Sequence, residues 1–104
     1  MFAETPPPPY TAVIFTSVRT DEDAEGYTAT SARMEELAAE QPGFLGIESA
    51  REQLGITVSY WATADDARAW KKVAEHVLAQ RTGRERWYRG YRVRIATVER
   101  EYGF

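Results

Sequence analysis

An α+β fold built on one antiparallel sheet is what this sequence predicts, and three observations carry the prediction. Tyr10–Arg19 and Leu54–Trp61 are rich in β-branched and aromatic residues, the composition of strands. Two other segments repeat apolar residues at helical spacing, each behind a cluster of hydroxyl and carboxylate residues that suits a helix start. Turn residues punctuate the chain so that the order reads strand, helix, strand, strand, helix, strand.

Each element has its own reason. Residues 1–9 hold four successive prolines, Pro6 to Pro9, which make no ladder hydrogen bonds and suit a flexible N-terminal arm. The single domain then runs over 10–104. In the first strand, Tyr10–Arg19, the centre Val13-Ile14-Phe15 is apolar at consecutive positions, so both faces require cover. Thr20-Asp21-Glu22-Asp23 supplies acceptors for the free amides of a helix start. In that helix Tyr27, Thr30, Met34, Leu37, Ala38 and Gln41 share one side, opposite Arg33, Glu36 and Glu40. Pro42-Gly43 stops it.

Phe44–Arg51 and Leu54–Trp61 form two strands joined by a turn at Glu52-Gln53. In the second, Ile56, Val58 and Tyr60 alternate with Thr57, Ser59 and Trp61, so Trp61 and Tyr60 take opposite faces. Trp61 suits a sheet-to-sheet surface. Thr63-Ala-Asp-Asp66 fits a capping box with aspartate in place of glutamate. The following helix puts Ala67, Trp70, Ala74, Val77 and Leu78 on one stripe and ends at Thr82-Gly83. A short turn is expected at Trp87-Tyr88 and a last strand over Tyr91–Arg100. This order is the split β-α-β unit of ferredoxin-like folds, a sheet with both helices on one face. Its other face would expose apolar residues of the first and last strands, and a second copy is the simplest cover. A homodimer is expected.

Bulk properties exclude several classes. The 104 residues suffice for one modest core, and 43% hydrophobic with 28% charged residues is an ordinary globular balance. No apolar run approaches the roughly 20 residues that span a bilayer, so no membrane partner is expected. There is no cysteine and no asparagine. The first absence removes thiolate chemistry, disulfides and sulfur metal sites, and a cytoplasmic location is expected. A net charge of −3 argues against a nucleic-acid partner.

Candidate chemistry concentrates on the unit from Gly55 to His76. His76 is the only histidine and suits a general base, since its unperturbed pKa lies near neutrality. No nucleophile elbow, metal-ligand spacing, dinucleotide fingerprint or P-loop is present, so neither a metal site nor a nucleotide cradle is expected. Trp70 lies at the centre of its apolar stripe, where core packing is its simplest role. The stretch 81–94 holds six arginines against the single acid Glu85, interleaved with Trp87, Tyr88 and Tyr91. That composition suits ion pairs with the acidic first helix, an anionic or phenolic ligand, or, less well, single-stranded nucleic acid.

The strand-helix element Ile56–Lys71, preceded by Gln41-Pro42-Gly43-Phe44-Leu45-Gly46, resembles the antibiotic biosynthesis monooxygenase family over nearly the whole chain. The closing Arg84-Glu-Arg-Trp-Tyr88 and Val98-Glu-Arg-Glu-Tyr-Gly-Phe104 are similar to a bacterial branch of that family without a characterised reaction. The resemblance implies a dimeric α+β barrel with a pocket between helices and sheet. It also implies oxidation of an aromatic, phenolic or polyketide-like small molecule by molecular oxygen, with neither metal nor flavin. The substrate anion reduces oxygen itself, while the protein supplies a dry pocket, a base and anion-stabilising donors.

Carried over by position, the resemblance has Trp70 lining the pocket and His76, Arg84 or Tyr91 serving as base or anion partner. His76 is the expected catalytic residue, and Tyr60, Trp70, Arg84, Trp87 and Tyr91 are the expected substrate-binding residues. The quinone-forming members rely on an asparagine that this chain lacks. The haem-degrading branch uses an asparagine on the first strand and a histidine ten residues beyond the helix tryptophan. Phe15 and Thr16 stand on the strand here, and Gln80 at the second position, which disfavours haem. The alternative to a monooxygenase is a ligand-binding or stress-associated dimer that keeps the fold without the chemistry.

Overall fold

The computed structural model describes residues 1–80 and 83–104, and the side chains of all of these except 83 and 84. The elements are β1 (Tyr10–Arg19), α1 (Ala24–Glu40), β2 (Phe44–Arg51), β3 (Leu54–Trp61), α2 (Ala64–Gln80), α3 (Gly83–Trp87) and β4 (Tyr88–Val98). One antiparallel sheet has the order β2-β3-β1-β4, and α1 and α2 lie on one face of it. The ferredoxin-like order expected from the sequence is the order observed.

Local chemistry sets the boundaries. The Asp23 carboxylate accepts from the Gly26 amide at 3.3 Å and caps α1. Asp23 itself is left-handed, with φ 50°. At the other end the Gln41 amide donates to the Ala38 carbonyl at 3.0 Å, and Gly43 takes φ 80°, a conformation glycine adopts without a Cβ penalty. Thr63 caps α2 by accepting from the Asp66 amide at 3.1 Å. Asp66 is one methylene shorter than the glutamate of the full motif, and its carboxylate accepts from the Thr63 hydroxyl at 2.8 Å instead of closing on a backbone amide.

Two expectations require correction. Residues 83–87 form the short helix α3, not a loop leading to a turn at 87–88. The last strand begins at Tyr88, three residues before the expected Tyr91, and ends at Val98. The reason is non-local: β1 offers its full length as a template, so Tyr88 pairs with Arg19 across a bulge, and the Thr20 amide donates to the Trp87 carbonyl at 2.9 Å. Thr82, part of the expected stop of the second helix, lies outside the described residues.

The core sits toward one end of the sheet. Val13, Ala38, Trp61, Ala67 and Trp70 are buried together, with Met34, Leu37, Phe44, Val73 and Ala74 packed around them. The helices do not cover β4 to the same degree: Val93 and Ile95 face the helix side yet stay 37% and 40% exposed.

The N-terminal arm crosses the opposite face. The Ala3 amide donates to Glu48 at 2.9 Å, Thr5 donates to Glu101 at 2.9 Å, and the Tyr10 hydroxyl stands within hydrogen-bond reach of both Thr5 and Glu101, at 3.1 and 3.2 Å. Gly46 is the floor beneath Ala3, where an added Cβ would meet the Ala3 methyl at 2.6 Å. Tyr10 and Ala12, on this non-helical face, are buried. Farther along the same face Val18, Leu54 and Ile56 are 40–51% exposed. Among the described residues no helix is long and apolar enough to cross a membrane.

Candidate functional site

Strand alternation sends every second residue toward the helices, and the register stacks these into four rows. From one end they are Phe44, Trp61, Thr11 and Thr97; Ile47, Ser59, Val13 and Ile95; Ser49, Thr57, Phe15 and Val93; and Arg51, Gly55, Ser17 and Tyr91. The first row is filled. Trp61 is fully buried, its ring stacked on Trp70 with centroids 5.7 Å apart and edge-on to Phe44 at 5.5 Å. Its indole N–H donates to Ser59 Oγ at 2.9 Å. Trp61 is therefore core, not the sheet-to-sheet surface expected of it. Trp70 and Ala67 cover it from α2, and that packing decides which parity of β3 points inward.

The later rows are not filled, and a hollow of about 420 Å³ opens between them, α1, α2 and α3. Trp70 and Leu78 of α2, Met34 of α1, Val13 and Phe15 of β1 and Trp87 of α3 give it an apolar lining. At its far end the rings of Phe15, Tyr88 and Tyr91 lie 5.1–5.6 Å from one another, and Tyr27 stands 5.9 Å from Tyr88 and 6.1 Å from Trp87. Such offset and edge-on aromatic pairs leave a slot bounded by π surfaces.

Charge enters this aromatic end from two arginines. The Arg19 guanidinium sits 3.5 Å from the Tyr27 ring centre, with Nε donating to the Trp87 carbonyl at 3.2 Å. The Arg51 guanidinium is 5.9 Å from the same ring and donates to Ser17 Oγ. Burial holds the Tyr88 hydroxyl well above the ordinary tyrosine range and the adjacent Tyr27 adds to this, while the two guanidiniums pull the other way. Tyr88 is thus a neutral hydrogen-bond donor at every physiological pH.

Of the residues expected from sequence, Trp70, Trp87 and Tyr91 come together in this hollow. Trp87 is only 2% exposed and its indole N–H donates to Asp23 at 3.2 Å, so it is anchored in the wall. Tyr60 is elsewhere. It lies on the opposite face of the sheet, edge-on to Tyr10 at 5.7 Å, with its hydroxyl donating to Glu48 at 2.7 Å. Burial first, and then that bond, push its pKa up to about 12. Glu48 is held below the usual carboxylate range, first by the Tyr60 bond and then by the Ala3 amide.

His76 does not line the hollow either. It follows Trp70 by six residues, about 240° around the helix, and is exposed on the outer side of α2. Arg84 belongs to α3, and its side chain lies outside those described. Within the arginine-rich stretch one ion pair to the acidic first helix is described, Arg86 to Asp23 at 3.5 Å. Sequence reasoning missed Phe15, Ser17, Tyr27 and Arg51 as site residues, and named Tyr88 only as part of the arginine-rich aromatic stretch. The period-2 alternation of β1, and the hairpin that sets Arg51 opposite Gly55, are the signals that would have found the first two and Arg51.

Comparisons with known proteins agree with this architecture. Residues 9–82 match the family model of antibiotic biosynthesis monooxygenases. YqjZ of Bacillus subtilis (strain 168), described as an uncharacterized protein, is 52% identical over 101 residues, which cover 95% of this chain and 88% of YqjZ. Crystal structures share the fold at low identity. SnoaB of Streptomyces nogalater, a cofactor-independent oxygenase, has TM-score 0.66 at 18% identity, covering 89% of this chain and 95% of its own. PA3566 of Pseudomonas aeruginosa has TM-score 0.68 at 15% identity, covering 91% and 97% respectively. The family model spans most of the chain and one relative is identical at half its positions, so this chain belongs to the antibiotic biosynthesis monooxygenase family.

Proposed function

We propose that this protein is a small cofactor-independent monooxygenase that admits an electron-rich aromatic molecule, phenolic or polyketide-like in kind, to the hollow and oxidises it with molecular oxygen. The observation that carries this reading is the 420 Å³ space walled by Trp70, Trp87, Phe15, Tyr88 and Tyr91, a volume in the range of small-ligand pockets. An activated ring methylene would lose a proton, pass electrons to oxygen, couple with it as a peroxide and lose water. The balance closes without another reductant: one ring methylene and one molecule of dioxygen give one ring carbonyl and one molecule of water. The apolar walls exclude water from the anion and its radical partner. Tyr88, kept neutral, can donate to the oxygen on which negative charge develops. Glu35 and Glu75 are the carboxylates among the residues lining the hollow, and they suit the proton-accepting role that the position of His76 does not.

Two copies would meet through the non-helical sheet face, where exposed Val18, Leu54 and Ile56 supply the apolar surface. The second reading, a ligand-binding dimer without chemistry, has the same hollow in its favour. Oxygen uptake measured with a panel of anthrones, naphthols and hydroquinones separates the two. The monooxygenase reading expects one oxygen consumed per substrate and a lower rate in Trp70→Phe. Tight binding of the same compounds with no oxygen uptake would establish the second reading.

A further inference from the structure

The row Arg51, Gly55, Ser17 and Tyr91 crosses all four strands on the face toward the helices. Its second member has no side chain, and the space above it is taken. A Cβ placed on Gly55 would collide with the Arg51 guanidinium. Arg51 therefore lies flat across β3 and reaches the hydroxyl of Ser17 on the next strand, a residue only 1% exposed. One N–H goes to Ser17, the guanidinium stands 5.9 Å from the Tyr27 ring centre, and Arg51, exposed on its outer side, lines the hollow with donors to spare. Among the described residues no carboxylate lies within 4 Å of the guanidinium of Arg51 or Arg19. The carboxylates among the residues lining the hollow are Glu35 and Glu75 at its rim, and Glu75 pairs with Lys71 at 3.6 Å. Two guanidiniums converge on one aromatic ring at the end of an apolar space, and among the described residues neither is in an ion pair.

We infer that Arg51, laid across Gly55 and steadied by Ser17, is an anion subsite, and that the ligand of the hollow is an aromatic carboxylic acid. The planar guanidinium fork matches a carboxylate, which it can hold through two parallel hydrogen bonds. The ring attached to that carboxylate would then lie against Phe15 and Tyr91. A single negative charge suits the site better than a phosphate. Arg19 has committed Nε and Nη2 to the carbonyls of Trp87 and Glu22, at 3.2 and 3.5 Å, which leaves Arg51 as the principal donor. The inference rests on the reading of the hollow as a ligand site and specifies what that ligand carries.

Binding of three probes to the full chain tests it: 2-naphthoate, the neutral 2-naphthylmethanol and 2-naphthyl phosphate, followed by titration calorimetry at low and high salt. The expected result is naphthoate bound about 10- to 100-fold more tightly than the alcohol, the range of a charge-assisted hydrogen bond. Raising the salt should narrow that preference. Arg51→Gln should remove the preference, bringing naphthoate to the level of the alcohol in the same variant. Gly55→Ala, which keeps the charge but displaces the guanidinium, should weaken naphthoate selectively. Circular dichroism confirms that both variants are folded, and the wild-type comparison needs neither of them. Equal binding of acid and alcohol overturns the anion subsite and leaves the hollow standing. Tighter binding of the phosphate overturns the choice of carboxylate. Failure of all three to bind overturns the hollow as a ligand site, and the subsite with it.

Discussion

Trp61 and Trp70 stack with an interplanar angle of 22°, and this pair marks the boundary between the packed core and the open hollow. Trp61 belongs to the core alone, while Trp70 shows one face to Trp61 and also lines the cavity. Trp70→Ala should therefore act twice. It should destabilise the fold by about 3–5 kcal/mol, the usual cost of truncating a buried aromatic, and weaken any aromatic ligand. Urea denaturation gives the first effect and calorimetry with naphthoate the second. A stability loss with unchanged ligand affinity would place the ligand outside the hollow.

Gly43 joins α1 to β2 with φ 80°, and an added Cβ would also collide with the Asp66 side chain at the start of α2. Gly43→Ala should cost about 1–3 kcal/mol through backbone strain. At about 4–8 °C per kcal/mol for a domain of this size, the thermal midpoint should fall visibly. Gly90→Ala is the control, since nothing lies within 4 Å of a Cβ built there. It should shift stability by no more than about 0.5 kcal/mol.

On the far face the Tyr60 hydroxyl and the Glu48 carboxylate predict a pH dependence of known sign. The Tyr60 pKa rises on folding to about 12 from an ordinary value of about 10, so the folded state holds its proton longer. The stability linked to it is complete below pH 10 and is lost as pH rises from there to about 12. Glu48 is depressed on folding, so its contribution is present above the ordinary carboxylate pKa and is lost as pH falls through its lowered value. Ultraviolet titration of wild type minus Tyr60→Phe should isolate the late tyrosinate component. In Glu48→Gln that component should move to lower pH while staying above 10, because burial is its first cause. An unmoved component would show that the bond does not form in solution.

The apolar strip of Val18, Leu54 and Ile56 predicts self-association. Sedimentation should give twice the chain mass of 11.8 kDa. Leu54→Glu combined with Ile56→Glu should yield monomers, since a charge buried without a partner opposes the interface. A wild-type monomer at micromolar concentration would remove the sheet face as an interface.

Much of the fold was legible because local signals and global order agree. The boundaries of β1, β2 and β3 follow directly from residue pattern and turn chemistry. The site was less legible for a specific reason. Alternation along β3 separates Tyr60 from Trp61, but sequence alone does not say which of the two faces the helices, and a wrong parity inverts the whole strand. Tyr60 was assigned to the pocket and Trp61 to the outer surface, and the packing of Trp61 on Trp70 reverses both. Arg51 was missed because its role depends on an absent side chain, that of Gly55, on the neighbouring strand. His76 drew notice as a lone titratable group, yet its angle on α2 turns it to solvent. Tyr91 and Trp87 were named because the sequence gathers aromatics with arginines there, and both stand on the wall of the hollow.

A crystal structure of the protein soaked with an aromatic ligand such as naphthoate tests the central claim most directly. The account predicts electron density between α2 and the sheet, with the ring against Tyr91 and Phe15 and one edge facing Trp70. Density confined to the Tyr60 face or to the surface around His76, with the space beside Trp70 left unoccupied, would contradict it.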